Sequence, residues 1–202
     1  MTNNFYFGFV DPSGGSSDSM TLAIAHSEGP KAVLDGVWER KPPFSPESVV
    51  EEFAERLKRY GISSITGDRY GGAWPAERFL VHGIEYTPSS RSKSEIYAEF
   101  LQLANSGRVS IPLHQRLIQQ FQKLERRVAR GGRQSIDHPS GGHDDIANAA
   151  AGAIVLAAES DSEPAKPIAT FISFREPHPK DPNALFDPFN DYGFGPPRRP
   201  RF

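Results

Sequence analysis

Phe5–Val10 (FYFGFV) is a short apolar, aromatic run that stops at Asp11-Pro12, the length and punctuation of a buried strand. Beyond the small polar stretch 13–18, Met20–His26 and Lys31–Trp38 read as two more strands. The short connections predict an antiparallel meander. Past Pro42-Pro43 the period changes: Val49, Val50, Phe53, Leu57 and Tyr60 recur at helical spacing. Ser45 can cap that helix, Pro46 suits its first position, Glu47 its first turn, and Gly61 ends it at Tyr60. Strands and helices then alternate. Strand Ile62–Thr66 precedes helix Trp74–His82, and strand Ile84–Thr87 precedes helix Lys93–Asn105, whose core face is Ile96, Tyr97, Phe100, Leu101 and Leu103. A strand stub at Val109–Ile111 leads to a long helix, His114–Arg130, stopped by Gly131-Gly132. An alanine-rich helix, His143–Ala158, closes the series, and Phe53, Phe79, Phe100, Phe121 and Trp74 are expected in the core. The pattern predicts an α/β domain over residues 1–160: a mixed sheet, meander first, flanked by helices.

From residue 161 the chain turns polar and proline-rich. One strand is expected at Ile168–Phe174, within an otherwise irregular tail over 161–202. There is no cysteine, which excludes a disulfide scaffold, a cysteine-ligated zinc finger and a thiol nucleophile. Net charge is −2, so any nucleic-acid-binding surface must be local. No apolar run reaches the roughly 20 residues of a membrane helix, and Met1–Asn4 lacks the charged-then-apolar layout of a signal peptide; no membrane partner is expected.

Three acidic sites share a position type. Asp11 ends the first strand, Asp68 follows the strand at 62–66, and His143-Asp144-Asp145 opens the last helix. Taken singly, an Asp after a strand is a turn former and an Asp before a helix is a cap. Chain ends at one rim of a sheet can converge, and converging carboxylates repel unless protonated or bridged by a divalent cation. Mg²⁺ and Mn²⁺ favour such oxygen ligands.

The wider series is Asp11-Pro12-Ser13-Gly14-Gly15 with Asp18, then Gly67-Asp68-Arg69-Tyr70-Gly71-Gly72, Arg130-Gly131-Gly132-Arg133, Asp137-His138-Pro139 and Gly141-Gly142-His143-Asp144-Asp145. In order and spacing, over roughly residues 5–158, it resembles the nuclease domain of tailed-phage large terminase subunits. The resemblance implies an RNase H-like fold and a metal-dependent endonuclease that cuts concatemeric viral DNA in the host bacterial cytoplasm. It implies two Mg²⁺ or Mn²⁺ ions held by Asp11, Asp68 and one or both of Asp144 and Asp145, with Asp11 bridging. Asp18 is an accessory candidate or a shaper of its turn; His143 is an orienter of the metal ligands or helix-start packing. Partners implied are double-stranded DNA, the terminase ATPase motor, the small subunit and the portal. No G-x-x-x-x-G-K-[ST] phosphate loop occurs, so the sequence matches the nuclease part alone.

A DNA path is expected along Arg69, Lys93, Arg126, Arg127, Arg130 and Arg133. Residues 116–133 carry Arg116, Lys123 and the last four of these against a lone Glu125. The plainer alternative is a solvated helix face. Two other functions compete: another RNase H-like nuclease acting on junctions or RNA–DNA hybrids, and a non-catalytic DNA- or portal-binding module.

Overall fold

The computed structural model describes residues 5–69, 72–128, 134–160 and 173–175. The expected meander is present: β1 (Tyr6–Asp11), β2 (Met20–Glu28) and β3 (Lys31–Arg40) pair antiparallel in sequence order. Four further strands, β4 (Ser64–Gly67), β5 (Glu85–Pro88), β6 (Val109–Pro112) and β9 (Ser173–Arg175), join in parallel to give the order β5-β4-β1-β2-β3-β6-β9. The sheet is therefore mixed, with the meander at its centre. Most of the expected strand Ile168–Phe174 and of the tail lies outside the described residues.

Helices cover both faces. On one face, α1 (Pro46–Arg59) and α2 (Trp74–Val81) close a core of Val10, Leu22, Ile24, Trp38, Val50, Phe53, Leu57 and Phe79, with Trp74 only partly buried at its margin. On the other, α3 (Lys93–Asn105), α4 (Gln115–Lys123) and α5 (Asp145–Glu159) cover Phe9, Ala23, Ala25, Leu34 and Val37. The alanines of α5 are nearly all buried, which brings its axis close to the sheet. At Gly152 the approach is closest: a Cβ there would run into the ring of Phe9. That contact fixes the height and rotation of α5 over β1, two residues before Asp11.

Four expectations are corrected. The helix predicted over 114–130 ends at Lys123; Glu125–Val128 is instead strand β7, paired antiparallel with β8 (Gln134–Asp137) in a separate two-stranded sheet. This hairpin is tied to α3 rather than to α4. Ser94 Oγ both donates to Ile136 O and accepts from Ile136 N, at 3.1 Å each, while Leu124 and Ile136 pack on the core. Tertiary anchoring of two apolar side chains overrides the helical propensity of an Arg-rich stretch. Leu101, expected in the core, is exposed, and Phe121 is only partly buried, stacked on Phe100 with ring centroids 4.4 Å apart. Ser45 precedes α1 without a side-chain cap bond, whereas Ser92 and Glu95 form a full capping box on α3. Among the described residues no helix is long and apolar enough to cross a membrane.

Candidate metal centre

Strand order places the first two carboxylates side by side. β1 and β4 are parallel neighbours with Val10 opposite Gly67, and Asp68 N donates to Val10 O at 3.0 Å. Asp11 and Asp68 thus leave adjacent strands at their C-terminal ends, where ligands of open α/β sheets bind. Asp68 is set by its neighbours: Arg69 N donates to its Oδ1 at 2.6 Å, and Tyr86 Oη donates to its main-chain oxygen at 2.6 Å. Gly67 makes room for the Tyr86 ring, which a Cβ there would strike.

Helix α5 supplies the rest. Asn148, 1 % exposed and one turn before Gly152, donates from Nδ2 to Asp11 Oδ2 at 2.9 Å and to Asp68 Oδ2 at 3.2 Å. One amide thereby joins both carboxylates. Nothing in the sequence motif marks Asn148; its position three and four residues beyond the aspartate pair, on the same helical face, is the signal that would have found it.

The adjacent aspartates separate in role. Asp144 is the N-cap residue of α5, yet its side chain makes no capping bond. Gln120 Oε1 takes that place, accepting from Ala147 N at 2.9 Å. The buried Asp144 carboxylate instead accepts from Tyr97 Oη at 2.8 Å and pairs with Lys93 Nζ at 3.2 Å. Lys93 also pairs with Asp137 Oδ1 at 2.7 Å, and His138 Nε2 lies 3.8 Å from both Asp137 and Asp144. Asp137, His138 and Asp144 bring ligand atoms within 4.8 Å of one another, but the Lys93 ammonium already bonds two of the three. Burial works against the charge of Lys93, yet Asp137 and Asp144 hold its pKa above the ordinary lysine value. The same ion pair, again against burial, holds the Asp137 carboxyl below its usual range.

Asp145 has none of this support. Its Oδ2 is buried without a hydrogen-bond partner. Burial, then the charges of Glu39, Asp144 and Asp18, push its pKa up to about 6 although His143 pulls the other way. Asp11 is likewise raised well above an ordinary carboxyl by burial, against the Asn148 bond, with Asp145, Asp68 and Asp144 adding repulsion. Among the described residues neither Asp11, Asp68 nor Asp145 is ion-paired to lysine or arginine. An uncompensated trio of carboxylates with an orphaned oxygen matches the donor set of a hard divalent cation.

The other expected residues fall outside this trio. His143 and Asp18 are exposed and face each other, Nδ1 to Oδ1 at 3.7 Å. Lys93, expected on the DNA path, is ion-paired with Asp137 and Asp144. Arg69 donates to the carbonyls of Ser89 at 2.7 Å and Ser90 at 2.9 Å, bracing the loop after β5. Arg126 and Arg127 lie exposed on β7, and Arg130 and Arg133 lie outside the described residues.

No protein-family model and no curated protein sequence matches the chain. Solved structures do. The large terminase nuclease from thermophilic phage G20c superposes with a TM-score of 0.65 at 20 % identity, over 76 % of this chain and 82 % of that one. The fold is that of large-terminase nuclease domains. The nuclease domain of Thermus phage P74-26 gives 0.61 at 19 % identity, over 76 % and 80 % of the two chains. The large terminase of bacteriophage HK97 gives 0.62 at 15 % identity over 76 % of this chain, which spans only 39 % of that protein. The G20c nuclease has been solved with bound magnesium and with bound cobalt.

Proposed function

We propose that this chain is a divalent-metal-dependent endodeoxyribonuclease, the nuclease domain of a phage DNA-packaging terminase. The observation that carries the reading is the convergence of Asp11, Asp68 and Asp145, uncompensated, at the rim where β1, β4 and α5 meet. Asp11, on which the charges of both Asp145 and Asp68 act, is the candidate shared ligand; Asp68 and Asp145 would complete the holding of the divalent ions. Bound Mg²⁺ or Mn²⁺ in such a pair supplies water activation at neutral pH and stabilisation of the departing oxygen.

The chain's own residues prepare this arrangement. Asn148 fixes the facing oxygens of Asp11 and Asp68. Tyr97 and Lys93 pin Asp144, whose main-chain oxygen accepts from Asn148 N at 2.7 Å, so the first turn of α5 carries Asp145 and Asn148 to the rim together. Asp144 is therefore assigned a positioning role and Asp145 the ligand role. The substrate is duplex DNA, cut from concatemers beside the ATPase motor, small subunit and portal in the host bacterial cytoplasm. With no base-reading motif in the sequence, little sequence preference is expected.

The test is nicking of supercoiled plasmid with Mn²⁺ or Mg²⁺ and no nucleotide. Cleavage that stops on chelation supports the reading; cleavage that persists in excess EDTA, or none with either metal, overturns it. Faster turnover of branched DNA or RNA–DNA hybrid than of duplex would move the assignment to another RNase H-like nuclease.

A further inference from the structure

A fourth carboxylate faces the site from a strand that the sequence motif does not mark. In the register of the meander, Asp11 is opposite Thr21 and Thr21 is opposite Glu39. Residues directly opposed on neighbouring strands project to the same face. Asp11, Thr21 and Glu39 thus form one row across β1, β2 and β3, on the face that α5 covers.

Four oxygens of this neighbourhood are buried without a hydrogen-bond partner: Thr21 Oγ1, Glu39 Oε2, Asp145 Oδ2 and Asn148 Oδ1. Thr21 is fully buried, and the Glu39 side chain is 5 % exposed. Glu39 is not loose. Its Oε1 accepts from Ser19 Oγ at 2.7 Å and from Arg116 Nη2 at 2.8 Å, and Lys41 Nζ lies 3.9 Å from Oε2. That clamp holds the carboxylate in place, with its second oxygen buried. Among the charges that raise the Asp145 carboxyl, Glu39 comes first, ahead of the sequence neighbour Asp144.

Buried polar atoms in native folds have partners; here Thr21 and Glu39 share a row with Asp11, and the Glu39 charge acts on Asp145. A water could serve the threonine hydroxyl. Glu39 has Arg116 and Lys41 as partners, but Asp145 has no lysine or arginine among the described residues, and a cation between the two carboxylates would relieve their repulsion. Two carboxylates and a hydroxyl, all oxygen, suit a hard divalent ion completed by water.

We infer that Glu39 is a further ligand of the cation on the Asp145 side, with Thr21 Oγ1 lining the same position. The inference rests on the metal-centre reading above and extends it: the Asp145-side position would draw a ligand from β3 as well as from α5.

The experiment is Mn²⁺ titration of the full chain, followed by the electron paramagnetic resonance signal of free Mn²⁺, for wild type, Glu39→Gln, Thr21→Val and Asp68→Asn. Glu39→Gln keeps an oxygen for Ser19 and Arg116 and replaces the orphaned one by an amide that can donate to Asp145. It should weaken one of two Mn²⁺ binding steps about 10- to 100-fold and leave the other in place. Asp68→Asn should weaken the other step. Thr21→Val, which keeps the branched shape of the side chain, should weaken the Glu39-dependent step by a smaller factor, and it carries the test if Glu39→Gln fails to fold. Wild-type affinity for both ions in Glu39→Gln, or in Thr21→Val where that variant carries the test, overturns the assignment of Glu39 and makes it only an anchor for Arg116. Absence of Mn²⁺ binding by wild type overturns the metal centre itself.

Discussion

Two acidic clusters flank the start of α5, and the fold treats them in opposite ways. Asp137 and Asp144 are given a lysine: Lys93 bonds both, and Tyr97 adds a hydroxyl to Asp144. Asp11, Asp68 and Asp145 are given only neutral donors, chiefly the Asn148 amide, and one oxygen of Asp145 is left with nothing. The pKa directions follow, with Asp137 held down and Asp11 and Asp145 pushed up. A fixed cation makes a cluster structural. Withholding one leaves a place for an exchangeable ion, at a standing cost to the ion-free fold.

The sharpest way to break this contrast is Asp11→Asn. The change keeps the shape and removes a repelling charge. Plasmid cleavage should fall to background, while thermal melting in EDTA stays level or rises slightly. Wild type should gain about 2.7 kcal/mol at one hundred times the dissociation constant of a single site, and the variant much less. Substantial cleavage by Asp11→Asn would remove its bridging role, and a melt far below wild type in EDTA would make it a structural residue.

Lys93→Met probes the compensated cluster from the other side. The stem is replaced, but Asp144 remains buried with its ammonium partner gone. The expected loss is about 1–3 kcal/mol, read by denaturant melts with and without Mn²⁺. A variant as stable as wild type would show that the ion pair is dispensable and that the two clusters do not differ as argued.

The difference between the clusters also explains what the sequence reveals. Asp11, Asp68 and the Asp144-Asp145 pair stand at element ends, so strand and helix boundaries allow their meeting at one rim, and the motif resemblance selects them. The division of labour within the pair is not legible, because Gln120, Tyr97 and Lys93 decide it from two other helices. Glu39 is hidden for the same reason: its place in the row with Asp11 depends on strand register, and from sequence it reads as one polar residue at a strand end. Strand β7 is misread as the end of a helix because the bonds that anchor its partner strand run to Ser94, about forty residues earlier.

A pH series sharpens the comparison with a smaller effect. Asp145 titrates near 6 in the folded chain against a reference of 3.8, and Asp11 is raised in the same direction. The folded state therefore binds more protons than the unfolded state between those values, so this contribution is present at low pH and lost as pH rises through about 6. In EDTA, the melting temperature of wild type relative to Asp145→Asn should fall from pH 5 to pH 7. With Mn²⁺ the sign should reverse, because the ligands bind metal only when deprotonated. A difference that stays flat with pH in EDTA would show that Asp145 is not desolvated as described.

The smallest effect belongs to the hairpin. Arg126 and Arg127 are adjacent on β7, so their side chains leave opposite faces. Arg126 is opposite Ile136, which packs on the core, and its guanidinium donates to Gln134. Arg127 is opposite Ser135, on the face it shares with Asp137, and it donates to Glu125 at 2.8 Å and to His138 O at 3.3 Å. A duplex approaching the rim from the Asp137 side meets Arg127 and not Arg126. Arg127→Ala should thus lower DNA affinity and reduce the log–log salt slope by about one, the share of a single phosphate contact. Arg126→Ala should leave the slope unchanged, and the double variant should match Arg127→Ala alone. The ion pair with Glu125 must be broken or shared on binding, which keeps the loss modest. Binding at several salt concentrations, measured in Ca²⁺ to prevent turnover, distinguishes the outcomes. Equal losses from both single variants would mean that DNA wraps the hairpin edge and touches both faces; no loss from either would leave β7 a solvated strand and confine substrate contacts to the rim.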